Sequence, residues 1–134
     1  MILNGIILNI SSNHYLNKLR KFYNVTHVSV ERASAGPAIK TMFSFFYERM
    51  KVTSPLVTKA DEIRSLKNED IIESGLVGKC EVSKCVLELF LTIYGASAGN
   101  FSLATLPTGG LYFIGSLSIA LESQLKNNVF QVII

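Results

Sequence analysis

Glu31 closes the run His27-Val28-Ser29-Val30-Glu31 and precedes Arg32-Ala33-Ser34-Ala35-Gly36-Pro37. A carboxylate held at the end of a short strand, just ahead of a Gly-Pro helix start, presents two oxygens to adjacent hydroxyl donors. Such charge-assisted bonds are the stronger kind. The competing reading is a surface glutamate paired with Arg32 or a lysine. Farther along, Gly109, Gly110 and the pair Gly115-Ser116 bracket the apolar run Leu111-Tyr112-Phe113-Ile114. Lacking side chains, these glycines let backbone approach a ligand closely, or else serve only the tight packing of a strand end. Asp61 and Asp70 are the only aspartates, and both lie in charged helical contexts.

The elements that position these groups follow from residue spacing. Tyr15, Leu16, Leu19 and Phe22 predict a short helix over His14 to Tyr23, with Asn13 as its cap. Val28 and Val30 alternate with polar residues, which predicts a strand over 27–31 with one covered face. Ser34 can cap the next helix and Pro37 can sit in its first turn, where a missing N–H costs nothing. Ile39, Met42, Phe43, Phe46 and Met50 mark its apolar stripe. A short exposed helix over 58–63 follows, and then an acid-rich helix start at Asn68-Glu69-Asp70. Val82, Val86, Leu89, Phe90 and Ile93 give the strongest helical signal, continuing to about Ala104 and stopped by Pro107. Leu111 to Ile114 reads as a buried strand of an α/β sheet, Leu117 to Leu125 as a helix, and Val129 to Ile134 as one more strand.

A chain of 134 residues, 49% of them hydrophobic, can bury a core and fits one domain or a piece of a larger one. The net charge of +3 comes from scattered Lys and Arg, so no nucleic-acid footprint stands out. The densest basic stretch, Lys18-Leu19-Arg20-Lys21, reads as a solvated helix face. Cys80 and Cys85 are too few for a disulfide framework and lack metal-ligand spacing, as expected of reduced thiols in a cytoplasmic protein. The apolar start Met1 to Ile10 lacks a basic leader region and a cleavage site, which argues against a signal peptide. Glu88 interrupts one apolar stretch, and Pro107, Gly109 and Gly110 interrupt another, so no membrane span is expected. The mean hydropathy of +0.33 suits a chain that buries surface against another domain or subunit.

From His14 to Leu121 the chain resembles the C-terminal half of the bacterial-type glucokinases, members of the hexokinase and actin-like ATPase superfamily. The resemblance is carried by three segments in order: His27 to Arg32 with Gly36-Pro37, Leu87-Glu88-Leu89-Phe90 with Gly95 and Gly99-Asn100, and Gly109 to Gly115. It implies an α/β fold, a fragment of the large domain of an actin-like ATPase (ribonuclease H-like) fold with helices packed on a short sheet. Residues 14–126 would form the glucokinase-like part, between divergent segments 1–13 and 127–134. It further implies ATP-dependent phosphorylation of glucose, with Glu31 holding glucose hydroxyls and Gly109, Gly110, Gly115 and Ser116 bordering the nucleotide. The family's usual residue at position 116 is glycine, so Ser116 either hinders nucleotide approach or replaces a backbone contact with a hydroxyl one. His27 becomes a packing or hydrogen-bonding neighbour of the site. ATP with Mg is the implied co-substrate, with no tightly bound cofactor and no metal ligands in the chain itself.

The same resemblance exposes what is missing. The family's Asp-Gly-Gly-Thr phosphate loop, its Asn-Asp pair with the catalytic base, its Gly-Thr-Gly turn and its further glucose-binding glutamate and histidine have no counterpart here. No catalytic residue is therefore assigned, and the isolated chain is expected to be inactive. The implied partners are glucose, ATP, and either a second copy or a missing N-terminal half, with neither nucleic acid nor membrane. The alternative is a non-catalytic module that binds sugar or nucleotide, or associates with a subunit.

Overall fold

The computed structural model of the chain describes residues 2–127, with side chains from Ser12 onward. The expected strand at Val129 to Ile134 and nearly all of the segment 127–134 lie outside those residues. Among the described residues the elements are α1 (Ile2–Tyr23), α2 (Val30–Ser34), α3 (Gly36–Met50), a 3₁₀ turn (Ala60–Ser65), α4 (Asn68–Leu76), α5 (Glu81–Thr105), α6 (Ser116–Ala120) and α7 (Glu122–Leu125). Packing divides the chain into two units, 1–90 and 91–134, with the boundary inside α5.

The first unit is built on the apolar stripe of α3. Ile39, Met42, Phe43 and Phe46 are buried as their spacing predicts, joined by Ala38 and Phe45. Tyr15 and Leu19 of α1 are buried as well, and the Tyr15 and Phe45 rings meet edge-on at 5.5 Å. The buried Tyr15 hydroxyl lies 2.8 Å from the Thr41 hydroxyl. Burial pushes its pKa up to about 12, so it stays neutral. Phe22, expected on the same stripe, is 68% exposed. Helix α1 ends where Asn24 turns left-handed at φ 50°. There Val25 N–H donates to Arg20 C=O and Asn24 N–H to Lys21 C=O, which satisfies two terminal carbonyls.

The acid-rich start of α4 is observed as predicted, and Ile71 and Ile72 bury its apolar face. Val82, Val86, Leu89 and Phe90 of α5 are buried too. Length and composition would allow α5 to cross a bilayer, but these buried residues mark its first half as a core element. Between α4 and α5, Ser74 donates to Ser83 at 2.9 Å inside the core. Gly75 permits that approach, because a Cβ there would sit 2.9 Å from the Ser83 carbonyl and 2.8 Å from Leu87 Cδ1.

The α/β expectation is overturned, since no strand and no sheet occur among the described residues. Residues 27–29 are loop and Val30 begins α2. Val30 is 59% exposed, so the covered face that alternation implied does not exist. Leu111 to Ile114 runs without helix, turn or strand pairing, and Tyr112 and Ile114 are 81% and 87% exposed rather than buried. The physical reason is common to both. A strand's N–H and C=O groups need a neighbouring ladder, which no described segment supplies, whereas a helix closes its hydrogen bonds internally.

Two outcomes test this packing. Gly75→Ala should cost about 1–3 kcal/mol, because the Ser83 backbone cannot move aside as a side-chain tip can. The urea midpoint should fall, and an unchanged midpoint would contradict the close approach. The second concerns Lys18, which donates to Glu48 at 2.7 Å. That bond holds the Glu48 carboxyl below its ordinary 4.5, against the opposing effect of partial burial. A depressed folded value means the contribution is complete above about pH 4.5 and is lost as pH falls through the lower folded value. Lys18→Met should therefore lower stability by less than about 1 kcal/mol at pH 7, this being an exposed pair, and flatten the pH dependence below 4.5.

Candidate functional site

In the first unit, Glu31 stands in the first turn of the five-residue helix α2. Ala33 anchors that helix by burial. Ser34 Oγ donates to the Val30 carbonyl at 2.8 Å, and the Ala35 N–H donates to the Glu31 carbonyl at 3.0 Å. Ala35, extended at φ −104° and ψ 174°, ends α2 and caps α3, so one residue sets the angle between them. Glu31 is exposed. Arg32, its ion-pair partner in the competing reading, instead lies over the Tyr23 ring at 4.1 Å, and neither ion pair of the described residues includes Glu31. The side chain is thus exposed and outside the described ion pairs. His27 is exposed, with Nδ1 3.0 Å from the Thr26 hydroxyl. It sits on a loop, and the strand edge expected for it is absent.

Sequence reasoning did not single out Asn68. From the head of α4 its side-chain amide donates to the Gly36 carbonyl at 2.9 Å, tying α4 to the turn that follows Glu31. Its Oδ1 is buried without a hydrogen-bond partner among the described residues. Only its place at a helix start hinted at a structural role.

In the second unit, Gly109 and Gly110 form a turn closed by Gly110 N–H donating to the Pro107 carbonyl at 3.0 Å. Gly110 and Gly115 adopt φ +103° and +108°, conformations open to glycine and strained for other residues. Gly109 has open space around it. Ser116 is exposed as the first residue of α6. The Tyr112 hydroxyl donates back to the Gly109 carbonyl at 3.1 Å, and the Phe113 ring sits 5.4 Å from that of Tyr94. The four expected nucleotide-bordering residues thus lie on one exposed loop and helix start. Asn100, of the Gly99-Asn100 pair in the second motif, is exposed.

An open cavity of about 390 Å³ beside the end of α3 is lined by Tyr47, Lys51, Val52, Thr53, Ser54, Val57 and Thr58, and by none of the expected site residues. Among the described residues no three His, Cys, Asp or Glu side chains cluster as metal ligands would. Asp61 and Asp70 are exposed on separate elements. The described residues do not make a metal centre. Cys80 and Cys85 are free thiols. Burial pushes the Cys85 thiol up, aided by Glu88 and Glu81.

Among the described residues these features define a mainly helical chain with an accessible carboxylate and a separate glycine loop. Comparison with known proteins narrows the class. The profile described as Glucokinase matches residues 9–133. The chain is 33% identical over 119 residues to the glucokinase of Nostoc sp., a match covering 81% of this chain and 35% of that protein. The glucokinase of Trichormus variabilis is 31% identical over the same length. That of Synechocystis sp. is 29% identical over 126 residues, covering 86% of this chain and 36% of the relative. No solved structure matches. The chain belongs to the glucokinase family, and it spans about 35% of the length of the curated relatives it matches.

The backbone of the glycine loop yields its own test. Gly115→Ala should destabilise the chain by about 1–3 kcal/mol through strain at its positive φ. Gly109→Ala, with open space and no such φ, should stay within about 0.5 kcal/mol of the parent. Equal effects in thermal unfolding would contradict the loop geometry.

Proposed function

We propose that this chain supplies one part of a glucokinase: a glutamate that holds the sugar and a glycine loop that borders ATP. The reaction served is transfer of the γ-phosphoryl group to the 6-hydroxyl of glucose. Family membership supports the reaction class. The observation that carries the role of Glu31 is its exposed carboxylate, left out of the described ion pairs while Arg32 is engaged by Tyr23. Two oxygens free of internal partners can accept from two adjacent hydroxyls, and doing so fixes the orientation of the ring. Gly109, Gly110 and Gly115 offer backbone to the nucleotide, and Ser116 adds a hydroxyl. ATP, the co-substrate that family membership implies, would enter as its magnesium complex.

Phosphoryl transfer depends on positioning and on charge stabilisation of the transferred group. Asp61 and Asp70 sit in separate exposed contexts, so no aspartate is placed to take the proton from the sugar hydroxyl. We infer that the chain alone does not turn over, and that its setting is cytoplasmic. A second reading, a non-catalytic sugar-binding, nucleotide-binding or subunit-interaction module, is favoured by the exposed apolar side chains of the second unit.

A coupled kinase assay and glucose calorimetry on the full chain, run beside Glu31→Gln, test the proposal. The parent should show no turnover and should bind glucose, while Glu31→Gln should weaken binding roughly ten- to a hundredfold, the worth of a hydrogen bond to a charged group. Turnover by the parent would overturn the view that the chain needs a complement. Binding indifferent to Glu31→Gln would remove the sugar role.

A further inference from the structure

We infer that Asn68 is a positioning residue for Glu31: its side-chain amide holds the Gly36 carbonyl and, through the Ala35 junction, fixes the short helix that carries the carboxylate. That assignment rests on the sugar role proposed for Glu31, whereas the link from Asn68 to α2 does not.

Helix α2 does not define its own position. Its five residues are too few to persist on their own hydrogen bonds, and Ser29 ahead of them makes no side-chain capping bond. Placement of the helix therefore depends on the buried Ala33, on Arg32 lying over Tyr23, and on the junction behind it. At that junction Ala35 works in both directions. Its N–H donates to the Glu31 carbonyl at 3.0 Å, and its carbonyl accepts from the Ala38 N–H of α3 at 2.9 Å. Gly36 follows directly, and the Asn68 amide donates to its carbonyl at 2.9 Å. The same nitrogen lies 3.5 Å from where a Cβ on Gly36 would sit, so it packs on that residue as well as bonding to it. A shift at Gly36 is thus passed through one extended residue to the backbone of Glu31.

Two details set Asn68 apart from a cap of its own helix. The cap position of α4 is held by Lys67, which makes no side-chain capping bond, and Asn68 stands just inside the helix. An asparagine placed for α4 would occupy the cap and accept from that helix's free amides. Instead the Gly36 carbonyl, which can only accept, obliges Asn68 to present its nitrogen there. The side-chain oxygen is then left buried without a partner among the described residues, an arrangement that lowers stability. What it gains is a ligand-holding side chain locked by supporting hydrogen bonds.

The test measures amide protection factors and glucose affinity on the full chain with Asn68→Ala and Asn68→Asp, each compared with the parent at the same pH. In Asn68→Ala the Ala35 amide should lose protection at least fivefold, while Met42, Val86 and the urea midpoint keep parental values. Asn68→Asp should lose it equally at neutral pH and regain it in acid, where the protonated carboxyl again donates to Gly36. Asn68→Ala should show no such recovery. The glucose dissociation constant should rise at least fivefold in both variants at neutral pH. Unchanged Ala35 protection, an equal loss throughout the core, or no acid recovery in Asn68→Asp would overturn the proposal. So would glucose binding that Glu31→Gln weakens and Asn68→Ala does not. Failure of the parent to bind glucose would remove the sugar role of Glu31, and Ala35 protection would then decide alone whether Asn68 sets α2.

Discussion

Every buried backbone amide needs an acceptor, and this constraint separates what the chain completes by itself from what it leaves open. A helix meets the demand within its own turns. Helices α3, α4 and the first half of α5 therefore close a core around Ile39, Met42, Phe43, Ile71, Val86 and Phe90, all of them fully buried. A strand borrows its partners from elsewhere in space. Leu111 to Ile114 has the residues of a strand and, among the described residues, no neighbour to lend them. The outcome is an apolar segment whose outer side chains remain in water.

The parts legible in the sequence are those decided locally. The stripe of α3, the run from Val82 to Phe90, the acid-rich head of α4 and the stop at Pro107 all depend on residues within a few turns of one another, and each is where spacing placed it. The 3₁₀ turn at Ala60–Ser65 takes the place of the expected short helix. The failures share a cause. Val28-Ser29-Val30 and Leu111 to Ile114 were read as strands from side-chain pattern, but pattern says which face a strand would bury and not whether a partner is present. Helix α1 begins earlier than its stripe suggested, at Ile2. Family membership was legible from three short motifs. The bond from Asn68 to Gly36 was not, because it joins residues far apart in sequence.

The division between closed and open parts bears on chemistry. Sugar phosphorylation needs a carboxylate to hold the ring, a base to take a proton and a cradle for phosphate. The first has a candidate in Glu31, set on a helix whose angle to α3 is fixed by Ala35. Under the proposed function, the other two are assigned to none of the described residues. The chain belongs to the glucokinase family and spans about a third of the length of its curated relatives, so the role proposed for Glu31 rests on family membership together with its exposure.

Amide-resolved hydrogen exchange on the chain alone tests this account most directly. It predicts that amides of Met42, Phe43, Val86 and Phe90 exchange only through global unfolding, while those of Tyr112 and Ile114 exchange at nearly the rate of an unstructured peptide. Protection at Tyr112 and Ile114 equal to that of α3 would show that the segment is already paired, and would contradict an account in which only the helices close their own hydrogen bonds.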